Sequence, residues 1–414
     1  MTTDASCPVE GHDVVDGYDA DDYDLYSAEF REDPYAQFAA MRSGCPVAHS
    51  GKWGGSWMFS GYDDIRELAR DTERFTSRAV EVAGPLDAAG GLYLPPLTSD
   101  APEHRPHRDV LMPYFMPARV AEMEPMIRGE ARRLVAGLAR RGGGDVIEDY
   151  AQPLTLAVLT SILGVPDGGQ ITDWMIRMIR VGPMDQQVRT SAVREIIAYI
   201  DGLLADRDRA GNTGTDLLSY LNRAQIDGEP LSRKHRVGAG FLILIAGADT
   251  TWSAIGSALW HLATRPDHRQ RLLDQPELLD SAIEEFLRFY APVTVGRLAR
   301  KDVEAHGRCV PAGDRVILPF AAANRDPAVF DDPDDLRIDR RRNRHLTFGS
   351  GAHRCLGSNL ARLELRVTLQ EWLRVMPRFR LADDEHINWS GGQTRGPERV
   401  RFVVEPADRP AGGS

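Results

Sequence analysis

The stretch LSRKHRVGAGFLILIAGADTTWSAIGSALWHLATRP (231–266) sets the scale of the fold. Ser232 is a good helix N-cap, and Pro266 disfavours helix in the residue before it. The ~33 residues between them, at 1.5 Å each, make a rod of roughly 50 Å, enough to cross a whole domain. Its middle, FLILIAGA (241–248), is apolar all round, which predicts a helix buried on every side. Asp249, Thr250 and Thr251 follow directly. A carboxylate there incurs a heavy desolvation cost unless it is paired or serves chemistry. One reading is a capped break between two shorter helices. The other is an acid and an alcohol beside a cavity, with threonines bonding back one turn and bending the helix near Gly247.

Helical spacing also marks 123–141, 155–165 and 191–209. Strand-like pieces are few: WMFSG at 57–61, DRVILPF at 314–320 and VRFVVEP at 400–406. No βαβ alternation or repeat is visible, so the class is mainly α with minor β. Lys plus Arg number 50 against 61 Asp plus Glu, a net charge of −11, which argues against a nucleic-acid binder. The N-terminus has no basic and apolar signal-peptide regions, and its aspartates read as a solvated, poorly ordered acidic arm over 1–24. No uncharged apolar run approaches the ~18 residues of a membrane span. These features predict a soluble, cytoplasmic protein without a membrane partner.

Four cysteines, Cys7, Cys45, Cys309 and Cys355, are scattered without a C-x-x-C, so neither a disulfide framework nor a zinc site is suggested. Cys355 stands in FGSGAHRCLG (348–357). Gly349 and Gly351 let that loop take unusual conformations and approach a large flat ligand closely. LGSNLARLELRVTLQEWL, with apolar residues at 356, 360, 363, 367 and 369, reads as an amphipathic helix. Cys355 is then at a helix N-terminus, where the dipole favours a thiolate. A single thiolate is wrong for zinc or an iron–sulfur cluster and suits one axial ligand of a haem.

This loop resembles the haem-binding loop of the cytochrome P450 monooxygenases, F-G-x-G-x-H-x-C-x-G, at every specified position. The resemblance runs over roughly residues 25–406. It implies one large helix-rich domain with a small β-rich region over 25–408, followed by a flexible tail, 409–414. It also implies haem b between the long helix and the helix after Cys355. By the same resemblance, Cys355 ligates the iron within a loop shaped by Phe348, Gly349 and Gly351, and His104, Arg108, Arg297 and His353 hold the propionates. Pro106 fits between His104 and Arg108 only where a helix begins. Asp249 would relay protons and Thr250 would hydrogen-bond O₂. EEFLR gives Glu285 and Arg288 the family's E-x-x-R spacing, a partly buried structural pair completed by Arg325 or Arg340.

The substrate walls by position are Leu92, Leu94, Leu242, Ile245, Val293, Val295 and Thr394, which fit a small or medium apolar molecule. The activity implied by the resemblance is insertion of one atom of O₂ into that substrate, hydroxylation first, with a terpenoid, polyketide or similar secondary metabolite as the candidate class. Electrons would come from a ferredoxin or flavodoxin with a reductase, docked on a basic patch of RRRNRH (340–345), Arg354, Arg362 and Arg366. O-demethylation, oxidative coupling, peroxide-driven oxidation and a non-enzymatic haem sensor stand as alternatives. The acid–alcohol pair counts against the last two.

Overall fold

The computed structural model of the protein describes residues 21–84, 92–166 and 169–405. Most of the acidic arm, 1–20, and the tail, 409–414, lie outside that range. Tyr23 is buried and Asp21 pairs with Arg308 at 2.7 Å, so packing begins ahead of the expected boundary at 25.

In chain order, β1 (Val47–Ser50), β2 (Ser56–Phe59) and β3 (Phe75–Thr76) precede α1 (His104–Leu111) and α2 (Glu124–Arg141). Then come β4 (Gly143–Asp145), α3 (Gln152–Leu163), α4 (Gln186–Arg209) and α5 (Arg233–Thr264). α6 (Leu279–Phe289), β5 (Thr294–Ala299), β6 (Arg315–Pro319), α7 (Ser358–Val375), β7 (Phe379–Leu381) and β8 (Arg401–Val404) follow. The helices expected over 123–141, 155–165 and 191–209 are α2, α3 and α4. The three strand-like pieces are β2, β6 and β8.

Five strands form one sheet in the order β1-β2-β6-β5-β3, with β2 and β6 parallel and the other neighbours antiparallel. A second sheet runs β7-β8-β4. One apolar core surrounds α5; another lies against the five-stranded sheet, around Phe59, Ile317 and Phe320.

α5 is capped by the Ser232 side chain, which accepts from the His235 N–H, and it stops before Pro266. It runs unbroken through Asp249, which excludes the two-helix reading. Phe241–Leu244 are buried, yet Ala246 is exposed. Burial on every side therefore fails along one stripe, because that stripe faces a cavity. By length and composition α5 could cross a membrane, but 72% of its most apolar window is buried inside the fold. It is a core helix.

α6 carries the E-x-x-R pair, and burial there is complete rather than partial: Glu285 and Arg288 are both 0% exposed. Arg288 donates to both Glu285 oxygens at 2.8 Å, Arg340 donates to both at 3.1 Å, and the Arg337 N–H adds 2.8 Å. Of the two candidates for a third member, Arg340 is the one. Arg325 instead pairs with Asp334 and stacks over Phe289 and Tyr35.

Candidate active site

A cavity of about 390 Å³ lies between α5 and α7, closed by the segment 92–97, β5 and residues 393–394. Residues 242, 246, 250 and 254 of α5, each four apart, form one stripe on its wall. In β5 the two-residue period turns Val295 and Arg297 to the same face as Val293, and all three line the cavity. Leu92, Leu94, Ile245 and Thr394 complete the expected walls, and every substrate-contact residue read from the sequence is there.

Cys355 is held by its own loop: its N–H donates to the Phe348 carbonyl at 2.7 Å, and the Gly349 N–H donates to Leu346 at 2.7 Å. Gly349 and Gly351 have φ of +70° and +75°. Gly349 lines the cavity, whereas Gly351 does not; a Cβ there would sit 3.0 Å from Arg70 Cα. Gly351 therefore lets the loop seat closely on the backbone at Arg70. The sulfur is open to the cavity but deep in the protein, and burial pushes the thiol up despite the Gly357 N–H and the charges of Arg108, Arg354 and Arg362. The expected lowering by the helix terminus is outweighed by desolvation. A thiol of this kind loses its proton on ligating a metal.

Around Cys355 the structure gathers His104, Arg108, Arg297 and His353 on the same cavity. Pro106 falls in the first turn of α1, as its chemistry requires. The His104 and His353 rings stand 4.2 Å apart, and His353 Nε2 meets the Ser77 hydroxyl at 3.0 Å. Burial, then the neighbouring Arg297, His104 and Arg108, pushes His353 down to about 3. Burial pushes Arg297 down to about 10, and among the described residues neither it nor Arg108 has a carboxylate within ion-pair distance. His104 Nε2 is buried without a hydrogen-bond partner. Two guanidiniums and two imidazoles converging with no protein carboxylate in ion-pair reach of the guanidiniums among the described residues fit a ligand bearing two carboxylates, and an open cysteine sulfur fits its metal. A haem answers both.

Across the cavity, Asp249 is 4% exposed, and burial pushes its carboxyl up while Arg180, 3.9 Å away, opposes this. Thr394 and Trp252 also favour the carboxylate, although the Trp252 N–H lacks a hydrogen bond of full geometry. The Thr250 hydroxyl donates to the Ala246 carbonyl at 2.8 Å, one turn back as expected.

Sequence reasoning missed Arg180 and Glu364. Arg180 lies in a separate helical turn, Ile176–Val181, with no spacing that ties it to Asp249. Glu364 lines the cavity, is 2% exposed, has an unpartnered Oε2 and is pushed well up by burial. Its signal was available: 360, 363, 364 and 367 share the apolar face of α7. In the chain leading into the loop, Arg341, Arg342 and Arg344 are exposed, and Arg354, also exposed, lines the cavity. Arg362 is committed to Glu284 at 2.6 Å and Arg366 to Asp280 at 2.8 Å, so the expected basic patch is smaller than the sequence suggested.

Fold and site together define a haem-thiolate protein. The family model described as Cytochrome P450 matches residues 170–387. The chain is 34% identical over 380 residues to a probable cytochrome P450 127A1 of Sinorhizobium fredii, covering 89% of each chain. It is also 34% identical over 395 residues to the vitamin D(3) 25-hydroxylase of Pseudonocardia autotrophica, covering 93% of this chain and 97% of that one. The crystal structure of CYP101J2 superposes with a TM-score of 0.84 at 28% identity, covering 96% of this chain and all of that one. The chain belongs to the cytochrome P450 family. It is a monooxygenase whose cofactor is haem, and it works with redox partners on organic substrates.

Proposed function

We propose that this protein hydroxylates a small or medium apolar molecule, drawing electrons in the cytoplasm from a separate ferredoxin or flavodoxin with its reductase. The observation that carries this reading is the acid–alcohol pair Asp249–Thr250 on the cavity stripe of α5. Bound by Cys355, haem supplies the oxidising chemistry on O₂. His104, Arg108, Arg297 and His353 would hold its carboxylates, and Phe348 and Gly349 line the cavity beside Cys355. Leu242, Ile245, Val293 and Val295 exclude water and place the substrate.

Protons then have to reach a site walled by apolar side chains. Asp249 is suited to that task, because burial makes its carboxyl hold a proton more readily than an exposed aspartate. Arg180 is partly exposed and links Asp249 toward solvent. Thr250 lines the cavity with its O–H donated to the Ala246 carbonyl. Its oxygen is left to accept from a water on the cavity side, and released from that carbonyl the hydroxyl would serve as the donor the pair needs. A peroxide-driven enzyme would have little use for this pair.

Under reductant and O₂, Thr250→Ala should consume reductant at a near wild-type rate but release most of it as hydrogen peroxide. Asp249→Asn should slow O₂ consumption roughly a hundredfold or more, the lower end of what general acid–base catalysis contributes, with substrate binding intact. Unchanged coupling and rate in both variants would reduce the pair to a device of helix geometry.

A further inference from the structure

The cavity has a polar end that the monooxygenase chemistry leaves without a role. Glu81 and Arg189 both line it, 3.2 Å apart, with side chains only 14% and 19% exposed. Glu81 comes from the segment after β3 and Arg189 from α4. Arg189 uses one N–H on Glu81, whose other oxygen accepts from the Val80 N–H at 3.2 Å. Tyr26 and Gln186 line the same region. Tyr26 packs on Trp53 at 4.8 Å, in space that exists because residue 392 is glycine: a Cβ there would be 2.4 Å from the Tyr26 hydroxyl. Among the described residues neither the Tyr26 hydroxyl nor the Gln186 amide makes a hydrogen bond. Tyr26 is seated against Trp53 and Arg189 against Glu81, whereas Cys355 is held by its own loop at Phe348, so no residue that fixes one group fixes the other. The two groups sit at different ends.

We propose that Glu81, Arg189, Tyr26 and Gln186 form a recognition end for a substrate with an apolar body and one neutral hydroxyl or carbonyl oxygen remote from the carbon oxidised. This deepens the hydroxylase reading above and rests on it. Such an oxygen accepts from Tyr26 or a spare Arg189 N–H, and a hydroxyl also donates to Glu81. A carboxylate would compete with Glu81 for Arg189 and meet its negative charge. A plain hydrocarbon would bury the Tyr26 hydroxyl without a partner, and an unpaired buried polar group is the strongest source of discrimination a pocket has.

The test titrates the haem-loaded protein with cyclododecanol, cyclododecane and cyclododecanecarboxylate, reading dissociation constants from the haem absorbance shift. Wild type should bind the alcohol about tenfold or more tightly than the other two, the ratio that one hydrogen bond to a charged group supports. Tyr26→Phe should erase most of that preference while cyclododecane affinity changes less than about twofold. Glu81→Gln should weaken the alcohol and strengthen the carboxylate, reversing their order. Equal wild-type affinity for alcohol and hydrocarbon overturns this inference and leaves the apolar-substrate reading standing. So do variants that weaken all three ligands in proportion, which would make the ion pair a structural tie. No shift with any of the three overturns the apolar-substrate reading, and this inference with it.

Discussion

Glu285 shows how much can rest on one residue. It is fully buried and accepts from Arg288, Arg340, Asn343 and the Arg337 backbone, which joins α6 to the chain leading into the cysteine loop. Removing one member of a buried ion-pair set leaves charge uncompensated and costs about 3–5 kcal/mol. Glu285→Gln keeps the shape and loses the charge, so its denaturant midpoint should fall accordingly and haem should dissociate more readily. A midpoint within error of wild type would show that Arg340 and Arg288 find other partners. Cys355 is the other single-residue case. Among the described residues its sulfur is the one cavity-lining group that can ligate iron as a thiolate, so Cys355→His should lose the long-wavelength band of the reduced carbon monoxide complex. A retained band would reassign the ligand.

Contacts between elements decide where the cavity walls stand. Gly238 of α5 lies beneath the segment that carries Leu92 and Leu94, and a Cβ there would be 2.0 Å from the Tyr93 carbonyl oxygen. Because that neighbour is backbone, Gly238→Ala must displace the wall, at a cost of about 1–3 kcal/mol for overpacking. Thermal unfolding together with substrate-induced spectral shifts should show both a lower Tm and weaker binding.

Glu284 ties α6 to α7 through Arg362 and to the cysteine loop through His345. Burial pushes its carboxyl up, but Arg362 and His345 outweigh this and hold it at about 2 against an ordinary 4.5. The unfolded chain therefore takes up that proton first, and the stabilisation is complete above about pH 4.5 and lost as pH falls toward 2. His261, buried between Tyr290 and His268, is pushed down to about 3 by burial and then by its charged neighbours. The unfolded state protonates it below its ordinary 6.5, so stability also drops from pH 6.5 downward. Both groups act in one direction. Tm should decline steadily between pH 6.5 and 3, and Glu284→Gln should flatten the part below about 4.5. A Tm independent of pH across that window would contradict both assignments.

At the scale of the whole molecule, the net charge of −11 makes the exposed Arg341, Arg342 and Arg344, a few residues before the cysteine loop, a local exception. An acidic electron donor would be steered there, an effect seen in association rate and salt dependence. Reversing Arg342 and Arg344 to glutamate should raise the apparent KM for a ferredoxin or flavodoxin several-fold at low ionic strength, with the difference shrinking as salt is added. Reduction kinetics equal to wild type at low salt would place the docking face elsewhere.

The sequence by itself determined the long core helix, the amphipathic helix after Cys355 and the glycine-shaped loop between them, because each is written in residues close along the chain. It also marked Asp249 and Thr250, since an acid and an alcohol inside an apolar run stand out before any fold is known. What it could not decide depends on segments far apart in the chain. Arg180 reaches Asp249 from 69 positions away, Glu81 meets Arg189 across 108 residues, and Arg340 rather than Arg325 completes the pair on α6. Burial is likewise a property of the packed whole. Local reasoning placed Cys355 at a helix end and expected a lowered thiol, whereas desolvation by the surrounding fold pushes it up. Periodicity expected α5 to be buried all round, whereas the elements packed about it left one stripe open, and that stripe is the wall of the active site.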